Sequence, residues 1–543
     1  MAGRHDQWGK IPPDLTMLTN TAALHPIIYV RGYAGSAAEI DDTTADPFCG
    51  FNVGSTVYRA TPDRSRGARK FIFESPVVRL AKDYGYRDVY VDGEDILEHE
   101  SWDQGIPRQS IIVYRYYDQA SRLLGTGEVP KIEEFASGLS RFIAKVRTLV
   151  TQHPDYNTPP ETFRCYLVAH SMGGLVCRAF LQNPACDPDN TRLLVDKFFT
   201  YASPHNGIDL VGTNVPSWLG LNDLTNFNRE RMANYLALEE LYRRTKRVDW
   251  VPEDRFPSEK IFCLVGTNRV DYEAAQGLSR TFAGNGSDGL VRIENAVVCG
   301  TREGAPSVPT AKAFVYRSHS GYFGIVNSEE AYQNLTRFLF GDVRVDIWVD
   351  IHDIALPEAV QEKADAGAEV DALYQIEVLA SPRGKLWYLT RRVAEEDSVA
   401  CVRHVEYLEA KAKGTPVQMY VSTVFLANRA RVVPTRRSLA YSMVLGVKVP
   451  DYEIDRRLWI NEHYEGGHLF RDAVVVELVP PEQEGGAWHI EHDWQSDNLG
   501  KATRPLDPKA LAGGKVEVLI PFDSATRPGV RGHLRFVVGH WNA

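Results

Sequence analysis

The 543-residue chain has no run approaching the ~20 consecutive apolar residues of a membrane-crossing helix. Its first twenty residues carry Asp6, Asp14 and two prolines where a secretory leader needs an unbroken apolar stretch, so no export signal is expected there. Blocks of lysine and arginine are missing too. With 61 basic against 71 acidic residues the net charge is -10, so nucleic acid is not an expected partner, nor is anchoring to an anionic membrane through a basic run. Cysteine is scarce and odd in number, seven in all; Cys165, Cys177 and Cys263 lie in apolar stretches that suit buried free thiols. A reducing, cytoplasmic location is therefore expected. Internal repeats are absent, and low complexity is confined to an Ala- and acid-rich loop around Glu358 to Glu369.

A single hydrophobic core seldom serves this length, which points to two or three domains. From residue 26 to 340, short apolar strands alternate with helical patterns, as in a doubly wound, mainly parallel sheet covered by helices on both faces. The predicted strands are Ile27 to Val30, Ile111 to Tyr116, Cys165 to Ala169, Lys197 to Tyr201, Ile261 to Val265 and Ala313 to Tyr316. Ile132, Phe135, Leu139, Phe142, Ile143, Val146, Leu149 and Val150 mark a long amphipathic helix. Another helix is predicted from about Ser328 to Phe340, with Ser328 as cap and Glu329 and Glu330 in its first turn. Two connections, about 36–109 and 207–260, are too long for ordinary loops and read as lid-like insertions. The second gathers Trp218, Leu219, Leu221, Leu224 and Phe227, which suits an apolar flap or a small helical unit with its own core.

After Gly341-Asp342 the apolar period changes to 2, with Val343, Val345, Ile347, Val349 and Ile351 alternating with polar or aromatic residues. Further β-rich runs follow at Tyr374 to Leu379, Val417 to Leu426, Tyr441 to Val449, Ala473 to Val479, Val516 to Ile520 and Leu534 to Val538. The expected division is 1–342 as an α/β unit and 343–543 as a β-sandwich of short strands serving as an accessory or interface domain. Assembly of copies through that C-terminal region stays open.

The densest chemical signal is Cys165-Tyr166-Leu167-Val168-Ala169-His170-Ser171-Met172-Gly173-Gly174, a β-branched strand ending in a serine between small residues, followed by a helical stripe of Met172, Leu175, Val176, Ala179 and Phe180. This is the pattern of a nucleophile elbow, G-x-S-x-G with Ala169 in first place. A serine hydroxyl needs a neutral imidazole to take its proton and a carboxylate to hold that imidazole's tautomer. His319 follows the last predicted strand of the parallel sheet. Asp288, in Ser287-Asp288-Gly289-Leu290-Val291, is the preferred acid, and Asp271, soon after the Ile261 to Val265 strand, is its rival. Oxyanion donors are expected from the backbone amides of Met172 and of Tyr33, in the loop Arg31-Gly32-Tyr33-Ala34-Gly35-Ser36.

The Arg31 to Ser36 loop, the Ala169 to Gly174 elbow, and Ser287 to Val291 followed by His319 together resemble the α/β-hydrolase family. Within it they resemble the lipase-like branch that holds bacterial triacylglycerol lipases and inositol-deacylase-like proteins. The resemblance covers residues 25 to 340. It implies a serine carboxylic-ester hydrolase acting through an acyl-enzyme on lipophilic acyl esters, so the implied partner is a small-molecule or lipid ester. Phospholipids, polyesters and thioesters fit the same chemistry, and a non-catalytic binding protein on a hydrolase scaffold is the alternative of another class. His205, in Ala202-Ser203-Pro204-His205-Asn206-Gly207, looks like a structural histidine of such lipases. This chain departs from the branch in having Arg31-Gly32 where His-Gly is usual. Ser320-Gly321-Tyr322-Phe323 after His319 offers no acidic ligand, so the calcium ion of some lipases is not expected, and no Cys/His spacing suggests zinc. No cofactor is expected.

Overall fold

A computed structural model describes residues 23–32, 51, 55–59, 69–73, 75–91, 94–95, 105–116, 131–210, 213–214, 224–270, 286–321, 324–431, 435–455, 462–481, 486–497, 504–524 and 526–542. Seven parallel strands form the first sheet: β1 (Ile27–Val30), β2 (Arg87–Asp88), β3 (Ser110–Val113), β4 (Cys165–His170), β5 (Val195–Tyr201), β6 (Ile261–Gly266) and β7 (Ala311–Val315). Their order is β7-β6-β5-β4-β1-β3-β2. The chain thus enters at β1, crosses to the edge strand β2, returns inward through β3, passes to β4 on the other side of β1 and from there builds outward to the far edge. That reversal beside β1 is the switch point at which doubly wound sheets bind ligands, beyond the strands' carboxyl ends.

Strand side chains alternate between two apolar layers. Ile28, Val30, Leu167, Ala169, Phe198 and Cys263 face the helices α2 (Ile132–Gln152) and α3 (Gly173–Gln182). Ile27, Tyr29, Val168, Phe199, Tyr201 and Phe262 face the opposite layer, which contains α1 (Pro76–Tyr84) and α4 (Glu329–Phe340). Because both faces are covered, the strands read as nearly unbroken apolar runs. The predicted cap of α4 forms: the Ser328 hydroxyl accepts the amide of Ala331.

Both long connections contribute to the fold itself. Within 36–109, α1 covers one face of the sheet and β2 extends its edge beside β3. Within 207–260, Phe227, Met232, Tyr235, Leu238, Val248, Val251 and Phe256 join the core around α3. Trp218, Leu219 and Leu221 lie outside the described residues.

From Val343 onward the chain forms two antiparallel sheets. One has β8 (Val343–Ala355) between β11 (Val417–Leu426) and β16 (Gly529–His540), followed by β15 (Val516–Asp523). The other runs β10 (Thr390–Arg392), β9 (Glu369–Pro382), β12 (Leu439–Asp455), β13 (Glu462–Val479) and β14 (His489–Trp494). One apolar core takes side chains from both sheets, as in a β-sandwich. The strands are much longer than their β-branched runs suggested: β12 and β13 have 17 and 18 residues. Cross-strand pairing continues through polar positions such as Glu453 opposite His463, which carry no apolar period-2 signal.

The sandwich is joined to the parallel sheet along its β7 edge. The amide of Phe314 donates to Thr390 Oγ1 at 3.2 Å, and the Ser422 hydroxyl donates to the carbonyl of Lys312 at 2.9 Å. Phe425 of β11 is 1% exposed and packs against Phe262, Phe338 and Trp541 at centroid distances of 5.7, 5.3 and 5.0 Å. Phe425→Ala is expected to destabilise the whole chain by about 3–5 kcal/mol, the cost of truncating a buried phenylalanine. Urea unfolding followed by tryptophan fluorescence measures this; a loss under about 1 kcal/mol would show that the two regions are energetically independent.

Candidate active site

Ser171 lies between β4 and α3 with φ of 53°, the left-handed region that L-residues with side chains rarely occupy. Its amide donates to the Tyr201 carbonyl at 2.9 Å, and the Gly174 amide donates to the Ser171 carbonyl at 3.0 Å. Glycine is required around this turn for space. A Cβ on Gly173 would run into the carbonyls of Val30 and Arg31, and one on Gly174 into the Ser203 side chain. A Cβ on Gly32 would lie 2.6 Å from the Ser171 Cβ. The glycines on either side of the serine, in the loop after β1 and in the elbow, are therefore two halves of one close approach.

Three of the candidate residues meet in space. The His319 Nε2 is 2.9 Å from the Ser171 Oγ, and the His319 Nδ1 is 2.9 Å from Asp288 Oδ2. All three are buried: Ser171 is 4%, His319 3% and Asp288 1% exposed. The other Asp288 oxygen, Oδ1, accepts the amides of Leu290 at 3.0 Å and Val291 at 2.8 Å, leaving Oδ2 to the imidazole. The His319 amide also donates to the Asp288 carbonyl at 3.0 Å, so the two loops are joined by backbone and side chain. Met172 caps α3, and its amide belongs to the first turn, where no helical acceptor is available. Tyr33 and Asp271 lie outside the described residues.

Support for this arrangement comes from the sandwich. Thr267, immediately after β6, donates through Oγ1 to Glu396 Oε2 at 3.1 Å, and Glu396 Oε1 accepts from Arg391 Nε at 2.6 Å. Gly266, the last residue of β6, passes so close to Asp288 that a Cβ there would be 2.8 Å from the Asp288 Cβ. No sequence pattern linked Glu396 to the triad, because the two lie in regions of different period.

His170 was also missed, although it adjoins the serine. Its Nε2 lies 2.9 Å from the His319 carbonyl oxygen, and its ring lies 5.0 Å from that of His319. Burial, with the electrostatic influence of the neighbouring His319 ring second to it, holds the His170 imidazole well below its ordinary pKa; it is neutral and Nε2 donates. His205 is fully buried beside Thr200 Oγ1 at 3.2 Å, away from the triad, and burial likewise keeps it neutral. The Arg178 guanidinium of α3, 1% exposed, donates to the carbonyls of His205, Val248 and Trp250 at 2.8 Å each, tying the elbow helix to the second long connection. Among the described residues, the one group of three side chains able to share a metal ion is Asp451, Glu453 and His463, on β12 and β13.

The parallel sheet with its central reversal, the elbow, and the acid and histidine beyond later strands constitute the α/β-hydrolase fold. No protein-family model matches the chain, and no curated protein matches it. Solved structures similar to it include the mature form of the lipase BlEst2 from Bacillus licheniformis, 14% identical over 59% of this chain and 93% of that one, with a TM-score of 0.28. Another is the phospholipase PlaB from Legionella pneumophila, 11% identical over 82% of this chain and 90% of that one, with a TM-score of 0.29. Likenesses this low carry no function; the side chains must.

Three buried neutral histidines have a consequence for stability. Burial, with Arg108 adding to it, depresses His25 from 6.5 to about 3, and His170 and His205 are also held well below 6.5. Below pH 6.5 the unfolded chain takes up protons that the folded chain refuses, so stability falls as pH falls, for His25 down to about pH 3. Each histidine contributes up to about 1.4 kcal/mol per pH unit in that window. Urea denaturation at pH 7, 6 and 5 should show this decline, and His205→Gln should make it shallower. Equal slopes in parent and variant would mean that His205 is protonated when folded.

Proposed function

We propose that the chain is a serine carboxylic-ester hydrolase in which Ser171, His319 and Asp288 act as nucleophile, general base and orienting acid. The observation that carries this reading is the unbroken relay from Asp288 Oδ2 through the His319 imidazole to the Ser171 Oγ, with both contacts at 2.9 Å. His319 Nε2 takes the hydroxyl proton as Oγ attacks the ester carbonyl carbon, and Asp288 stabilises the imidazolium that forms. The negative charge on the former carbonyl oxygen turns toward the amide of Met172 and, in this proposal, that of Tyr33. Collapse of the tetrahedral species expels the alcohol, which receives its proton from His319. Water, activated by the same imidazole, then releases the acid and restores the serine.

His170 serves this cycle as a positioning residue. Its neutral ring donates to the carbonyl of His319 without adding a second positive charge beside the imidazolium. The burial of Ser171 requires that whatever covers it move aside when substrate enters. Lipophilic acyl esters are the preferred substrate class, since Trp218, Leu219 and Leu221 lie in the long connection after β5, where an apolar cover would sit.

Ser171→Ala or His319→Ala is expected to lower hydrolysis of a small water-soluble ester by roughly four to six orders of magnitude with folding unchanged, since triad members work as a unit. Asp288→Asn should also cost most of the activity. A fluorophosphonate should label the parent at Ser171 and leave Ser171→Ala unlabelled; a folded parent that resists labelling would point to a non-catalytic binding protein. Serine in place of Trp218, Leu219 and Leu221 should change the preferred acyl length while sparing the smallest esters. An unchanged chain-length profile would remove these residues from the acyl site.

A further inference from the structure

The carboxyl edge of the parallel sheet carries, close in sequence to His319 and among polar neighbours, a rim with two exposed apolar side chains that the proposed cycle does not use. β6 leads out through Arg269 to Val270, which is 59% exposed, and β7 is followed by Tyr316, 44% exposed and three residues before His319. Against this rim the β9–β10 hairpin brings Arg383-Gly384-Lys385-Leu386-Trp387-Tyr388. Leu386 at its tip is wholly exposed. A cleft of about 260 Å³ lined by residues that include Asn268, Tyr316, Arg317, Leu386 and Tyr388 joins hairpin and rim.

The base of this hairpin is anchored. The Arg383 amide donates to the Ala440 carbonyl at 3.1 Å and the Lys385 amide to the Pro382 carbonyl at 3.0 Å, around a Gly384 with φ of 76°. Arg337 of α4 lies 5.3 Å from the Trp387 ring, while Arg391 lies 5.7 Å from Tyr388 and 5.8 Å from Tyr316. An anchored turn that presents leucine to water, followed directly by two aromatics, is costly in solution and favourable at an apolar boundary. The charges beside it select the kind of boundary. Glu330 is paired with Arg317, Glu396 with Arg391 and Glu477 with Arg383, whereas Lys385 and Arg269 are exposed and have no carboxylate partner among the described residues. A lysine therefore adjoins the exposed leucine and an arginine adjoins the exposed valine.

We propose that this rim is a docking surface for a lipid–water interface bearing anionic phospholipid. Leu386 enters the acyl layer, Trp387 and Tyr388 lie at head-group level, and Lys385 and Arg269 meet the phosphates. Docking there would bring the triad edge of the sheet to a lipid-borne ester. Its catalytic meaning rests on the ester-hydrolase reading, but the binding itself does not.

The test is cosedimentation of the full chain with vesicles of phosphatidylcholine, with and without phosphatidylglycerol. The parent and Ser171→Ala should bind equally, and more tightly when phosphatidylglycerol is present. Leu386→Asp should weaken partitioning at least ~10-fold, as loss of a buried leucine at an apolar interface requires. Lys385→Glu should remove the gain from phosphatidylglycerol and spare binding to phosphatidylcholine alone. Both variants should hydrolyse a water-soluble ester at the parental rate, which shows that they are folded. A parent that does not sediment with vesicles, or a Leu386→Asp variant that binds as well as the parent, overturns the proposal. So does a parent that dimerises through this patch, reverts to monomer on Leu386→Asp and ignores vesicles. Vesicle binding by a parent that neither labels at Ser171 nor turns over ester would instead refute the hydrolase reading and leave the docking surface standing.

Discussion

The left-handed backbone of Ser171 is the constraint on which the site depends. A side-chain-bearing residue at φ of 53° is strained, and it persists only where the surroundings leave no relaxed alternative. Here the carbonyls of Val30 and Arg31 press on the elbow from one side and Ser203 from another, and only Gly173 and Gly174 leave room for them. Gly32 brings the loop after β1 against the serine in the same way. The strain lifts the hydroxyl off the strand to where an imidazole from a distant loop can reach it. Arg178 then holds α3 against the Val248 and Trp250 carbonyls, so the helix that follows the elbow cannot shift without breaking buried hydrogen bonds.

The histidine side of the triad depends on a different support. β7, which leads to His319, is the last strand of its sheet, and an uncovered last strand would expose an edge. Thr390 and Ser422 bond to that edge, Phe425 fills the layer beneath it, and Glu396 takes the hydroxyl of Thr267 beside the loop that carries Asp288. The sandwich therefore bears on the placement of Asp288 and His319 without supplying, among the described residues, a side chain that touches either of them or Ser171. The expectation of an accessory or interface domain rests on its lack of reactive motifs, and such motifs say nothing of support exerted through burial and hydrogen bonds to the backbone.

Burial also sets the electrostatics. Desolvation keeps His170 and His205 uncharged, so the buried surroundings of the Ser171, His319 and Asp288 cluster hold no fixed imidazolium from either of them. A neutral His170 can still donate to the His319 carbonyl, which uses its burial to orient the loop. The same burial lowers stability in acid, so an arrangement suited to neutral pH is paid for below it.

By itself the sequence determined what is local. Strand and helix periods located the parallel sheet and the change to β structure after residue 342, and small residues around Ser171 identified the turn. The order of serine, acid and histidine along the chain identified Ser171, Asp288 and His319, which the fold brings together. Contacts between distant segments were decided only in the tertiary structure. Glu396 lies 129 residues from Thr267, and Thr390 is 76 from Phe314. Such pairs share no period, because each side chain obeys the pattern of its own strand or turn. The same holds for His170: its place beside Ser171 was plain, but its role depends on a carbonyl 149 residues away, which only packing could bring to its ring.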